Sequence, residues 1–500
     1  MTLVWLLSGL RFFIINDRYE ILSFRMRIFI TIALILIVLF LLYLLKKRLS
    51  NSSKLKIKNV FQRIKIPIFL VMIIFQVILM LSSSGFAVAD PNAVYKLAIG
   101  QIDASVQNYV SQNPNNFLLI IWFKLVMLLF GEKYLILGLV FFNILFIDFS
   151  IIILTKVISK VLAKTQSILF YYNFVFLFGF SPQFLYTYSD CLALFLATLL
   201  IWLIYKIQTS DNSKLRLFYA ACIGVLAGIS YGIRPPLIIY YIALFIVIVV
   251  VIIKNIKQFN FKKAIYLLSV GLFTFIFTFF GYHYSLNHQT YFNYDSSQSR
   301  TSLYFIDLGL TSTGAAHSEL TEEVINASGD DRNSIFLSSI RDRLSHMTFI
   351  TFVQHLARKY YLFTSEGMFG WQIEAVLSEE NKLDNYFTNL KLSEKIREQV
   401  YVRSTNYFLY SYLMQIIWII TILGLFLYSF YFDVNGSSYD LWLQITIFGG
   451  LLFLLIFEGG RSRYLIQFLP AILFISSSGY YKFFSVAKSK NKKLDRLDPL

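Results

Sequence analysis

Six residues carry most of the chemistry this sequence offers outside its one long polar stretch. They are Asp90 in GFAVADPNAVYKLA, Asp190 in SPQFLYTYSD, Arg234 in GIRPP, and Glu458, Arg461 and Arg463 in EGGRSRYLIQFLP. Each stands where an apolar run breaks off. A carboxylate in such a place can exchange a proton or accept hydrogen bonds from the first amides of a helix, and a guanidinium can meet the phosphate of a lipid head group. Dehydrating either group costs free energy, so acids and bases collected at one depth of a membrane boundary mark a candidate site.

Ordinary structural work is the competing explanation for each. Asp90 followed by Pro91 reads as an N-cap with proline at the first helical position. Asp103 reads as part of a solvated helix face, and Asp190 as the cap of a helix starting at Cys191. Arg234 can snorkel from a proline-broken helix end. Glu458 can pair with the arginines beside it, although two arginines on that connection run against the usual charge bias.

The elements that must position these residues are membrane spans. The chain has 500 residues, 57% of them hydrophobic and 15% charged, too apolar for a water-soluble core. The fold class expected is an all-α polytopic membrane protein. Eleven spans are predicted, near 27–45, 66–82, 134–154, 167–181, 191–206, 215–231, 236–253, 264–284, 409–430, 441–457 and 464–481. The stretch 3–15 is too short to assign, and no small-residue cleavage site follows it, so a removable signal peptide is not expected.

The net charge of +17 is mostly a topology signal. Basic residues gather at 46–65, at Lys156, Lys160 and Lys164, at 206–216, at 254–263 and in the C-terminal tail. These are alternate connections, cytoplasmic by the positive-inside rule. The connections between them, which carry the candidate residues, then face outward. Anionic lipid is the partner this charge fits, and nucleic acid is not expected. Residues 285–408 invert the pattern with 15 acidic against 11 basic side chains, and read as an extracytoplasmic domain with helical periodicity. It separates a module at 1–284, with a first outer loop at 83–133, from C-terminal spans at 409–500. Within that loop, 115–130 is apolar but contains Lys124, and crossing would place the Lys156 cluster outside, so it reads as an interfacial helix flanked by QNPNN and GEKY turns. Asp148 and His283 fall inside spans, and the partner expected for Asp148 is Lys156. Cys191 and Cys222 give no disulfide framework and no metal spacing.

The order of these features resembles the GT-C class of polyprenyl-phosphate-sugar-dependent membrane glycosyltransferases of bacteria. A span, an acid opening an interfacial helix, the NPNNFLLIIWFKLVMLLFG stretch, SPQFLYTYSD, GIRPP after a small-residue helix and EGGRSRYLIQFLP follow one another as in that class. The resemblance implies a GT-C-like bundle of about 11–13 transmembrane helices at the cell membrane, with its active site on the extracytoplasmic side. It implies transfer of a sugar from a polyprenyl-phosphate carrier to a cell-envelope glycan, lipid or protein. In that chemistry Asp90 is the candidate general base for the acceptor hydroxyl, assisted by Asp190, and Arg234, Arg461 and Arg463 hold the departing phosphate. Glu458, Tyr464, Tyr95 and Trp371 are further candidate substrate contacts, the last by stacking on a sugar or else as an interfacial anchor. Many members carry two adjacent acids in the first loop where this chain has Asp90 and Pro91, which weakens the case for a metal there, and no His/Cys/Asp cluster elsewhere indicates one. Two other functions fit a many-span chain with a large outer segment. One is a polysaccharide polymerase or ligase using a diphosphate-linked donor; the other is a flippase or transporter of lipid-linked sugars, which would bury its polar groups nearer the midplane.

Overall fold

The structure is a computed structural model. It describes residues 1–15, 23–29, 31–33, 36, 51–254, 261–371, 377–402, 404, 406–431 and 437–494. Helices make up nearly all of it, and the described residues contain no strand beyond one isolated bridge between Gly85 and Lys382. The protein is thus an all-α polytopic membrane protein, and among the described residues eight helices are long and apolar enough to cross a bilayer.

We number the helices used here α1 (Thr2–Ile15), α2 (Asn51–Ser83), α3 (Asp90–Ile99), α4 (Phe117–Phe130), α5 (Leu135–Val161), α6 (Lys164–Phe174), α7 (Asp190–Thr209), α8 (Ser213–Ile233), α9 (Ile238–Lys254), α10 (Phe261–His288), α11 (Ser302–Gly309), α12 (Arg332–Ser345), α13 (Phe349–Thr364), α14 (Lys391–Val400), α15 (Tyr407–Ser429), α16 (Ser438–Ile456) and α17 (Leu469–Leu494). The eight long apolar helices are α2, α5, α7 to α10, α15 and α16. Of the other expected spans, 27–45 lies largely outside the described residues. The one at 167–181 is α6, eleven residues long, continued by a π-helical turn at Val175–Gly179. The one at 464–481 opens as a 3₁₀ turn, Ser462–Phe468, before α17 begins.

Short connections make consecutive helices antiparallel, so the molecule has two ends of different chemistry. At one end lie Lys160 closing α5, Lys164 opening α6, Lys206 closing α7, Lys254 closing α9 and Lys262 and Lys263 opening α10. This is the basic end. The other end, where the candidate residues sit, is the site end. Between the ends, small residues bring helices close. A Cβ on Gly224 of α8 would lie 2.0 Å from the Gly271 carbonyl of α10, and one on Gly479 of α17 would lie 1.9 Å from the Gly424 carbonyl of α15. Dispersion over such close backbones substitutes for the hydrophobic effect, which the lipid removes as a driving force between helices.

Two polar residues within spans find partners. Asp148 accepts from Gln76 Nε2 of α2 at 3.1 Å rather than from Lys156, the partner expected, because α2 presents an amide at its own depth while the lysine is two turns away toward the basic end. His283 packs its ring on Phe279 and Tyr282, with centroids 4.5 and 5.0 Å apart.

The segment between α10 and α15 is only partly a unit of its own. Tyr304, Leu308, Leu320, Val324 and Phe336 form a small separate core. Farther on, Phe363, Met368, Phe369, Trp371 and Val400 join the main core. Its α14 docks on the end of α2, where Arg397 donates to the Ser82 carbonyl at 2.8 Å while pairing with Glu379. α1, with 14 residues, packs beside α15, and its Trp5 indole donates to the Thr364 carbonyl at 3.1 Å.

Candidate functional site

The approach to Asp90 is held from both sides. After α2 the chain pairs briefly with residues near 382: Phe86 N donates to Asn381 O at 2.7 Å, and Leu383 N to Ser84 O at 2.9 Å. Gly85 is required there, since a Cβ would meet the Asn381 carbonyl at 2.5 Å. Ala89 then adopts φ 59°, ψ −132°, a left-handed conformation sparsely used by residues with a Cβ, and turns the chain into α3. Asp90 is the first residue of α3, with Pro91 second and Ala89 at the cap position, so its carboxylate does not cap the helix as the Asp-Pro pair suggests. It is exposed, in the first turn, where the helix dipole favours negative charge.

The charge of Asp90 is felt by Tyr109, and Asn116 Nδ2 donates to the Tyr109 hydroxyl at 2.7 Å. Tyr188 in turn donates its hydroxyl to Asn116 Oδ1 at 3.1 Å. Burial, then the charges of Tyr188 and Asp90, push the Tyr109 phenol well up; burial, then Asp90, does the same for Tyr188, so both remain protonated. The turn carrying Tyr109 and Asn116 is pinned from two further elements: Tyr282 of α10 donates to Pro114 O at 2.7 Å, and Arg300 Nη1 to Asn113 Oδ1 at 3.2 Å.

Beneath Tyr188 lies the buried charge cluster. Asp190 begins α7, is 1% exposed and forms an ion pair with Arg234 Nη1, while Arg463 Nε stands 3.9 Å from the same oxygen. Its carboxylate therefore serves the arginines and not the helix start, where no side-chain cap bond is present. Arg234 extends from the break between α8 and α9, and its guanidinium lies 5.4 Å from the Tyr464 ring. Arg463 is packed on Tyr186, Tyr188 and Tyr464, at 5.1, 5.3 and 5.5 Å from the ring centroids. Cation–π contact and an adjacent carboxylate offset the cost of burying a guanidinium that is 3% exposed.

Glu458 and Arg461 form the more open side. Glu458 accepts from the Tyr464 hydroxyl at 2.8 Å and stands 3.9 Å from Arg461, which is about a quarter exposed. Two glycines permit this turn by close approach: a Cβ on Gly459 would meet the Leu454 carbonyl at 1.8 Å and one on Gly460 the Thr313 carbonyl at 1.7 Å. Lys359 of α13, completely buried, locks the turn by donating to the carbonyls of Gly309, Leu455 and Phe457 at 2.9, 2.8 and 2.8 Å. Burial, opposed by Glu458, pushes its ammonium down to about 8.

A wall from the segment after α10 closes the arrangement. His317 Nδ1 lies 3.2 Å from the Tyr304 hydroxyl, and Arg300 lies 4.7 Å over the Tyr304 ring. Burial is the main cause holding His317 below its usual value, and the charges it senses are Glu458, Arg300, Arg461 and Asp90. One imidazole thus lies within the field of groups from residues 90, 300, 458 and 461.

Of the residues singled out by sequence, Asp190, Arg234, Glu458, Arg461, Arg463 and Tyr464 converge, and Asp90 is near enough for its charge to be felt by Tyr188 and His317. Tyr95 stands apart, on another face of α3 against Phe86, with Glu132 as its charged neighbour. Trp371 does not present a face for stacking: it is 1% exposed and its indole donates to the Val400 carbonyl at 2.9 Å. Asp103 makes an exposed pair with Lys96 at 2.7 Å, and that hydrogen bond holds its carboxyl down to about 2. α4, the 115–130 stretch, has only 14 helical residues, and its Lys124 lies 3.4 Å over the ring of Tyr291, which follows α10 at the site end. Sequence reasoning missed Tyr109, Asn116, Tyr186, Tyr188, Arg300, His317 and Lys359. The alternation of Tyr186 and Tyr188 just before Asp190 was a usable signal; the others are joined only by the tertiary fold.

An apolar groove of about 550 Å3 lies between α7, α8, α9, α10 and α16, and its lining runs from Gln208, Ala264 and Ser438 toward the basic end to Ile238 toward the site end. Its lining includes Ile238, the first residue of α9, four residues beyond Arg234.

A family model described as conserved hypothetical integral membrane protein covers residues 2–482, and the chain belongs to that family. No curated protein and no solved structure matches it.

Proposed function

We propose that this member of the family is a membrane glycosyltransferase of GT-C type, which moves a sugar from a polyprenyl-phosphate carrier to a hydroxyl-bearing acceptor of the cell envelope at the site end, facing outward. The observation that carries the reading is the buried pair of guanidinium groups from two distant segments, Arg234 and Arg463, gathered on Asp190 beside Tyr188, a tyrosine that also senses the charge of the exposed Asp90. The chemistry needs those two parts. As the acceptor oxygen bonds to the anomeric carbon, its proton passes to Asp90. The bond from that carbon to the phosphate oxygen breaks, and the electron pair leaves with the polyprenyl phosphate. Arg461, the most accessible of the arginines, meets this phosphate first, with Arg463 and Arg234 setting the positive field behind it.

The apolar groove supports a lipid-borne donor over a soluble one. It is walled by α7, α8, α9, α10 and α16, all of membrane-spanning length, and reaches Ile238, four residues from Arg234, so the chain of a lipid whose phosphate sits at the site end has an apolar path along these helices. The charge of the site lies at one end of the helices, which favours transfer over translocation, for which polar groups near the midplane would be needed.

The test is direct. Purified protein is incubated with a panel of polyprenyl-phosphate sugars, a diphosphate-linked oligosaccharide and a glycan acceptor, and carrier discharge is followed. Discharge of a monophosphate-linked sugar, absent in Asp90→Asn, is expected. Discharge of only the diphosphate donor would reassign the protein to polymerisation or ligation.

A further inference from the structure

Arg300 joins two loops of the site end, and neither consumes its guanidinium. Its backbone N–H donates to the Gln112 carbonyl at 3.1 Å and its Nη1 to Asn113 Oδ1 at 3.2 Å, while the guanidinium lies 4.7 Å over the Tyr304 ring. Among the described residues Nε and Nη2 meet no acceptor, and no carboxylate stands within ion-pair distance. The neighbouring arginines differ. Arg343 pairs with Asp307 at 2.8 Å, Arg397 pairs with Glu379 at 2.6 Å, and Arg332 Nη1 serves the carbonyls of Ser297 and Gly329. The Tyr304 hydroxyl stands 3.2 Å from His317 Nδ1, which leaves Nε2 of that partly exposed ring without a partner among the described residues. The loop of His317 also touches the EGGR turn, where Gly459 N donates to Gly314 O at 3.1 Å and Arg461 Nη2 to Ala315 O at 3.3 Å. From this placement we infer that Arg300 and His317 form a second oxyanion subsite, which takes a phosphate or carboxylate group of the substrate other than the carrier phosphate at Arg461.

The inference rests on the proposed transferase reading for its purpose, but not for its geometry. A guanidinium drawn partly out of water needs acceptors in exchange for the hydration it loses. The face of Tyr304 and one amide oxygen supply part of that exchange, and neither carries a formal negative charge. Phosphate and carboxylate oxygens do, and they match the planar set of donors on arginine. Position in the chain indicates which part of the substrate is held. Arg300 is fastened to Gln112 and Asn113, in the same outer loop that opens with Asp90, whereas the arginines assigned to the carrier phosphate follow α8 and α16. An anion at Arg300 therefore belongs first to the acceptor, as a cell-envelope glycan with phosphodiester or acidic-sugar groups would present. The second phosphate of a diphosphate-linked donor offers the same chemistry from the carrier side. The competing role for Arg300 is a strut between Asn113 and Tyr304.

Binding measured without turnover tests the subsite. The full-length protein in maltoside micelles is titrated, by calorimetry or ligand-observed NMR, with a phosphorylated oligosaccharide, its neutral parent, farnesyl phosphate and farnesyl diphosphate. Arg300→Gln is expected to weaken the phosphorylated oligosaccharide about tenfold and His317→Ala about threefold, with the neutral parent and farnesyl phosphate unchanged in both. A loss seen with farnesyl diphosphate in place of the phosphorylated oligosaccharide keeps the subsite and assigns its anion to the donor. Asn113→Ala cuts the strut but leaves the cation, and should retain the preference for the phosphorylated sugar over the neutral one. Equal affinity of wild type and Arg300→Gln for both doubly informative probes, the phosphorylated oligosaccharide and the diphosphate, overturns the subsite, as does the same loss in Asn113→Ala as in Arg300→Gln. Charge-dependent binding in a protein that discharges no donor leaves the subsite standing and removes the transferase reading. Discharge that is indifferent to acceptor charge and to Arg300→Gln does the opposite.

Discussion

Both ends of this helical bundle bury an aspartate, a cation and a tyrosine together, yet the two clusters are built differently. At the basic end Asp440 accepts from Tyr428 at 2.9 Å and pairs with Lys482 at 3.3 Å, and Gln444 donates to the same tyrosine at 3.1 Å. All four residues lie on α15, α16 and α17, neighbours in sequence and in space, and they bond to one another locally. At the site end Asp190, Arg234 and Arg463 come from α7, the break after α8 and the turn after α16, and around them stand Asp90, Glu458 and Arg461, the last partly exposed. A clamp needs only to join adjacent helices. Gathering acids and arginines from segments hundreds of residues apart, and leaving one acid open, is what a site requires.

The contrast can be broken by moving activity to the wrong end. Asp90→Asn is expected to lower transfer by about a thousandfold, in the range of general-base removal, while leaving the thermal unfolding midpoint in detergent nearly unchanged. Asp440→Asn should do the reverse, costing about 1–3 kcal/mol as buried donors lose a charged acceptor with activity per folded molecule retained. If Asp440→Asn proved the inactive variant, the comparison would be inverted.

Lys359→Met should be the most destabilising single change at the site end, by about 3 kcal/mol for three carbonyls left without a donor, read as an earlier unfolding midpoint. The ammonium has its own pH signature. Held at about 8 in the fold against an ordinary 10.5, it makes the unfolded chain bind more protons between those values. Stability should therefore rise as pH climbs through that window, and the rise should be absent in Lys359→Met.

Arg463→Lys sharpens the comparison further. Lysine keeps the charge but loses the planar fork and its fit to three tyrosine rings, so donor affinity measured by titration calorimetry should weaken about tenfold, roughly 1.4 kcal/mol. Lys482→Arg at the basic end should leave donor affinity alone. The smallest effect expected is at His317. Its value is depressed chiefly by burial, so below the ordinary 6.5 the unfolded chain takes up protons first and acidification weakens the fold. Denaturant titrations at pH 6.5 and 5 should show a difference that His317→Gln reduces.

Much of the fold was legible because lipid imposes length and apolarity on each span, and because lysines repeat at alternate connections. Where apolar length was shared between two local structures, legibility failed: 167–181 reads as one span, but the helix of Lys164–Phe174 gives way to a π turn. In the site, charge was a reliable guide, since a buried guanidinium must find a carboxylate or a ring. Asp190, Arg234 and Arg463 could be foreseen as a group for that reason, though not their pairing. Tyrosine and asparagine carry no such obligation in a sequence with 33 tyrosines. Tyr109 and Asn116 become meaningful only when the fold joins them to Tyr188 beside the buried charges. Trp371 misled for the opposite reason, as a large aromatic fits a core as well as a cleft.

Photolabelling tests most directly which end does the chemistry. A polyprenyl phosphate bearing a photoreactive group beside the phosphate, activated in nanodiscs and mapped by mass spectrometry, should mark peptides 181–190 and 457–468, and unlabelled polyprenyl phosphate should compete. Labelling confined to the lysine-bearing connections at the opposite end, or spread evenly over the lipid-facing helices and insensitive to competitor, would contradict the account.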